Sequence, residues 1–167
     1  MNTYLTHLPD TARLWLYPCE RTFTAQEQQA IQRALKDFTS TWSSHGAKLV
    51  ADADIIFGQI ILLAVDTSIL LPSGCSIDQS VDLMRKIEND FQIKLLDQGK
   101  IFYKTAQGLA VVPFHRVKQA IEQGIIHQET LILNTWAQTL GQLRQHLFLP
   151  ASQCWLQRYF KPQTTGG

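Results

Sequence analysis

The sequence predicts an α+β fold: a mixed β-sheet with packed amphipathic helices, in one compact domain carrying a smaller hairpin-helix part toward its C-terminal end. Three observations predict it. Apolar residues recur at helical spacing in two long segments. The run Ile60–Val65 is continuously apolar, as in a strand buried on both faces. Two short apolar runs then flank Thr105-Ala106-Gln107-Gly108, as in a hairpin. The 167 residues are 45% hydrophobic and 17% charged, enough for a single core.

The elements follow in order. Leu14 and Leu16 alternate with Trp15 and Tyr17, so a strand is expected over 13–17, ended by Pro18. Thr24-Ala25-Gln26-Glu27 has the form of a capping box, and Ile31, Leu35, Phe38 and Trp42 continue at steps of four, three and four. A helix over about 24–42 is the reading. Lys48–Val50 is a short strand candidate, with Asp52 and Asp54 read as a polar turn before the central strand. Ile77, Val81, Met84, Ile87 and Phe91 mark a second helix over about 77–90, with Ser76 as its expected cap.

Beyond the hairpin, a short helix is expected over about 114–123, closed by Gly124. Leu131–Leu133 is a candidate small strand. Trp136, Leu140, Leu143 and Leu147 suggest a last helix, bounded by Pro150. No Pro/Gly/Ser-rich linker divides the chain, so residues 1–160 read as one domain with a core over 1–97 and a smaller part over 98–160. Residues 161–167 read as a frayed tail.

Charge narrows the function classes. With 15 Lys plus Arg against 14 Asp plus Glu, the net charge of +1 disfavours nucleic acid as a partner and does not oppose self-association, so a homo-oligomer is permitted. No apolar run approaches the roughly 20 residues of a membrane span. The N-terminal sequence lacks a secretory pattern, so a cytoplasmic protein is expected. Cys19, Cys75 and Cys154 are odd in number and widely spaced, which argues against a disulfide framework or a zinc site. Neither a metal nor a cofactor is expected.

Chemistry, if present, centres on Ser73-Gly74-Cys75-Ser76-Ile77-Asp78. This segment sets a thiol just before a helix, where free amides and the helix dipole favour a thiolate. Ser73, Gly74, Ser76 and Asp78 are the candidate ligand-binding residues for a small anion. Cys75 is the candidate nucleophile, with His45, or the more remote His115 or His127, as base and Asp66, at the end of the central strand, or Asp78 as orienting carboxylate. An ordinary helix cap with a buried small thiol accounts for the same residues and is the leading reading. Asp66, at the end of the central strand, with Asp78 and Asp82, four apart on one helical face, forms a candidate magnesium-holding trio, but acidic residues in a first helical turn are expected for dipole reasons alone, which is the favoured reading. Phosphate-loop, dinucleotide, zincin, Cys-x-x-Cys and nucleophile-elbow motifs are all absent from the sequence. A noncatalytic protein-binding or adaptor module is therefore the leading functional expectation. A small enzyme or anion-binding protein at the Cys75 segment is the alternative.

The segments Arg13–Tyr17, Trp42–Gly46, Ala64–Asp66, Ser73–Ser80 and Gly124–Thr130, with Trp155, together resemble a family of small Bacteroidetes proteins. The resemblance spans about residues 4–160, and Ser73–Ser80 after Val65-Asp66 is its most specific part. Members are often labelled "ABC transporter ATPase" by automatic annotation. The resemblance implies a bacterial cytoplasmic protein and carries no catalytic residue. This chain lacks the phosphate loop and lysine by which such an ATPase would hold its nucleotide.

Overall fold

The computed structural model describes residues 4–160; the expected tail at 161–167 lies outside the described residues. The α+β class is as the sequence predicts, and among the described residues the paired strands are antiparallel, in three sheets. Two units are distinguished. The first holds the described residues through Gln98 together with Thr135–His146, and the second holds Gly99–Asn134 with the described residues from Leu147 on.

In the first unit, β1 (Arg13–Pro18), β5 (Ile60–Val65) and β4 (Ala51–Ile56) form a sheet in the order β1-β5-β4. β5 is central and all six of its residues are buried, as a continuous apolar run demands. Between β4 and β5, Phe57 and Gly58 both take positive φ, the tight turn of a hairpin. α1 (Ala25–Thr41) starts at the expected capping box: Glu27 N–H donates to Thr24 Oγ1, and Thr24 N–H donates to Glu27 Oε1. α2 (Gly74–Phe91) contributes Met84 and Ile87 to a core with Tyr17, Ile31, Leu35, Ile55 and Ile61. A second cluster gathers Trp42, Leu49, Leu63 and Val65, with Trp15 and Phe38 against it.

Two expectations are corrected. Asp52 and Asp54 do not form a polar turn; they lie in β4, an edge strand that the sequence reading missed. The reason is local. Asp52 and Asp54 pair with Ala64 and Leu62, and their carboxylates accept the N–H groups of Ala53 and Ile55 at 2.8 Å. Side chains that normally disfavour strands thus occupy donors that the open edge would expose. The last helix is also shorter than its apolar spacing suggests. α4 covers only Leu140–Gln145, capped by Thr139, and Trp136 stays outside it.

The Thr135–His146 segment is tied to the start of the chain by backbone bonds. Leu14 N–H donates to Gln138 C=O, Leu140 N–H to Ala12 C=O and Gly141 N–H to Asp10 C=O, at 2.8–3.0 Å. Arg144 completes the clamp, donating to the carbonyls of Tyr4, Leu5 and Leu8 and to Asp10 Oδ1. These long-range bonds place in the first unit a segment that the sequence reading assigns to the C-terminal part.

The second unit is a four-stranded sheet in the order β7-β6-β8-β9, formed by β6 (Lys100–Thr105), β7 (Gly108–Pro113), β8 (Leu131–Leu133) and β9 (Phe148–Pro150). The hairpin around Ala106-Gln107 is as expected. A 3₁₀ turn at Phe114–Arg116 leads into α3 (Val117–Glu122), and Gly124 follows at φ +75. Ile101, Ile126, Ile132 and Leu156 are buried here, with Trp155, Tyr159 and Phe160 packed against them. Two short strands, β2 (Ser43–Ser44) and β3 (Ala47–Lys48), form the remaining hairpin, in the first unit.

Candidate functional site

Ser73, not Ser76, caps α2. Ser73 Oγ accepts Ser76 N–H at 3.1 Å, and the first helical bond runs from Ile77 N–H to Ser73 C=O. The shift has a cause. Ser76 is buried, its hydroxyl donates to Ser73 C=O, and its own carbonyl accepts Trp42 Nε1–H at 2.8 Å. Ser76 thus joins helix and core, with its polar atoms committed inside the protein.

Cys75 lies within the first turn of α2 rather than before it, and it is exposed, contrary to the buried small thiol of the leading reading. All three cysteines are free. Burial pushes the thiols of Cys19 and Cys154 up from their ordinary value, which leaves them poor nucleophiles.

The other candidates occupy turns. His45 and Gly46, at φ +51 and +82, are the two central residues of the β2–β3 hairpin; only glycine takes the second value without strain. Beside them, Ser44 Oγ is buried without a hydrogen-bond partner. Asp66 Oδ1 accepts both Ser68 N–H, at 3.0 Å, and Ser68 Oγ–H, at 2.6 Å, and so shapes the loop after β5. Among the described residues no hydrogen bond joins Cys75, His45 and Asp66, and no three His, Cys, Asp or Glu side chains are grouped to hold a metal ion. Asp82, a member of the candidate magnesium trio, pairs with Arg85 across one helical turn.

What the structure adds is a cleft in the first unit that the sequence reading did not find. Its volume is about 770 Å³, and it is lined by Thr11, Arg13, Leu14 and Trp15, by Thr67, Leu71 and Pro72, and by Ala137, Gln138 and Thr139. Strand pairing explains the grouping. The start of β1 lies between β5 on one side and the added segment at Gln138-Thr139 on the other, with the loop after β5 supplying the remaining wall. The Arg13 guanidinium sits 4.6 Å from the centre of the Trp15 ring, and Trp15 meets Trp42 edge-on. The loop exposes two large aliphatic side chains, Ile69 at 66% and Leu71 at 68%. Cys75, His45 and Asp66 are not among the lining residues, although Pro72 immediately precedes the cap of α2. No sequence signal pointed to this cleft, because one wall arrives from more than 120 residues away.

Comparisons with family models, curated proteins and solved structures found no match. No helix among the described residues is long and apolar enough to cross a membrane.

Proposed function

We propose that this protein is a noncatalytic protein-binding module of the bacterial cytoplasm, with the cleft of the first unit as its recognition surface. One observation carries the reading: Ile69 and Leu71 stand in solvent on the loop that walls the cleft. Burying an aliphatic side chain of this size is worth about 1.5–3 kcal/mol, so a partner covering both has a ready source of affinity. The cleft volume lies within the ordinary range for ligand sites.

The test is a photo-crosslinking amino acid placed at position 71, or at Lys118 as an exposed control in the second unit, in cells of native cytoplasmic composition. The proposal expects a discrete protein adduct at position 71 that Ile69→Asp removes. Equal capture at both positions, or none at 71, counts against it; capture of a second copy of this chain would identify the module as a self-associating one.

The alternative reading is an enzyme or anion-binding protein at Ser73, Gly74, Cys75, Ser76 and Asp78, favoured by the exposure of Cys75 in the first turn of an 18-residue helix. It stands second because the Ser73 hydroxyl already caps the helix and the Ser76 hydroxyl already donates to Ser73 C=O.

A further inference from the structure

Resting on the protein-binding reading, we infer that the cleft takes an acidic-apolar peptide segment, its carboxylate held by Arg13 and its large apolar neighbour set against Leu71 and Trp15. Among the described residues that line the cleft, Arg13 is the one that carries a charge, beside four polar and five apolar ones. Its situation differs from that of Arg21, Arg85 and Arg144, each of which has a carboxylate partner. Among the described residues the Arg13 side chain has no carboxylate partner and lies over the Trp15 ring. Stacking on an aromatic face restrains a guanidinium while leaving its N–H groups directed outward, the arrangement suited to bidentate capture of a carboxylate. Complementarity therefore calls for one negative charge.

The surroundings define the rest of the occupant. Leu71 and Pro72 supply apolar contact beside Trp15, while Thr11, Thr67 and Gln138 offer hydrogen bonds on the flanks. Ile69 is exposed on the same loop but does not line the cleft. Covering it requires an occupant that continues past the cleft, which favours a polypeptide over a small acid. A cleft of this size accommodates a few residues of such a chain.

The test begins with a displayed library of random heptapeptides selected on the full-length protein. Enrichment of Asp or Glu next to a large apolar residue is expected. For an enriched peptide carrying a fluorophore, Arg13→Gln should weaken binding about tenfold or more, with Arg13→Lys intermediate, as loss of a charge-assisted bond implies. Replacing the peptide's acidic residue by its amide should weaken binding to the wild-type protein equally and to Arg13→Gln hardly at all. That cross-comparison leaves the fold of the wild-type protein untouched. Enriched peptides without an acidic residue, or Arg13→Gln within twofold of wild type, overturn the inference. If those peptides still lose binding on Leu71→Asp, the binding-module reading survives alone; if no peptide is enriched, both fall.

Discussion

Gly141→Ala tests how the cleft is built. Gly141 is the second residue of α4, and a Cβ there would lie 2.7 Å from Asp10 Cβ and 3.0 Å from Asp10 O. Comfortable carbon–carbon contact is about 3.5–4.0 Å, so helix and N-terminal segment must separate by roughly 1 Å. The Gly141 N–H to Asp10 C=O bond, 2.8 Å long, joins the same two residues and is strained by that separation. Overpacking of this kind costs about 1–3 kcal/mol, and the better helix propensity of alanine returns at most about 1 kcal/mol. A net loss of about 1–2 kcal/mol follows, a fall in Tm of roughly 2–8 °C for a chain of this length.

Gly74→Ala is the matched control. Gly74 opens α2 without a positive φ, and a Cβ there meets nothing within 4 Å. It should stabilise by about 0.4–1 kcal/mol through the unfolded chain. Urea unfolding at constant m-value measures both. Gly141→Ala should also weaken peptide binding, because Gln138 and Thr139 line the cleft, whereas Gly74→Ala should not. If the two substitutions shift stability in the same direction by similar amounts, the docking of α4 on Asp10 is not as described.

Other outcomes follow from the same structure. Two bonds from Arg21 and one from Thr24 N–H hold the Glu27 carboxyl down at about 2. Because its folded pKa is depressed, its stabilisation is full above about 4.5 and is lost as pH falls toward 2. Glu27→Gln should therefore cost up to about 1 kcal/mol at pH 7 and only a small part of that near pH 2, read from urea midpoints across that range. Replacing Asp52 and Asp54 together by Ala frees two N–H groups on the β4 edge, and sedimentation velocity should then detect self-association absent or weaker in the wild type. For Cys75, His45→Ala should leave the rate of alkylation by iodoacetamide unchanged; a tenfold slowing would instead support the catalytic alternative.

The fold was legible where local chemistry and burial agree. Thr24 and Glu27 announce α1, the run 60–65 announces β5, and Gly108 and its neighbours announce the β6–β7 hairpin. Reading failed where a distant partner decides the outcome. Asp52 and Asp54 look like turn residues until β5 is placed beside them and their carboxylates meet the edge amides. Ser76 looks like a cap until Trp42 Nε1–H draws its carbonyl into the core and leaves the capping to Ser73. The cleft was illegible for the same reason, since Arg13 and Thr139 become neighbours only through the bridge that joins them.

The most direct test of the central claim is amide hydrogen exchange of the full-length protein with and without an enriched heptapeptide. The cleft account predicts new protection at residues 11–15, 67–72 and 137–139, reduced in Arg13→Gln. Protection centred on residues 73–78, or confined to the second unit, would contradict it.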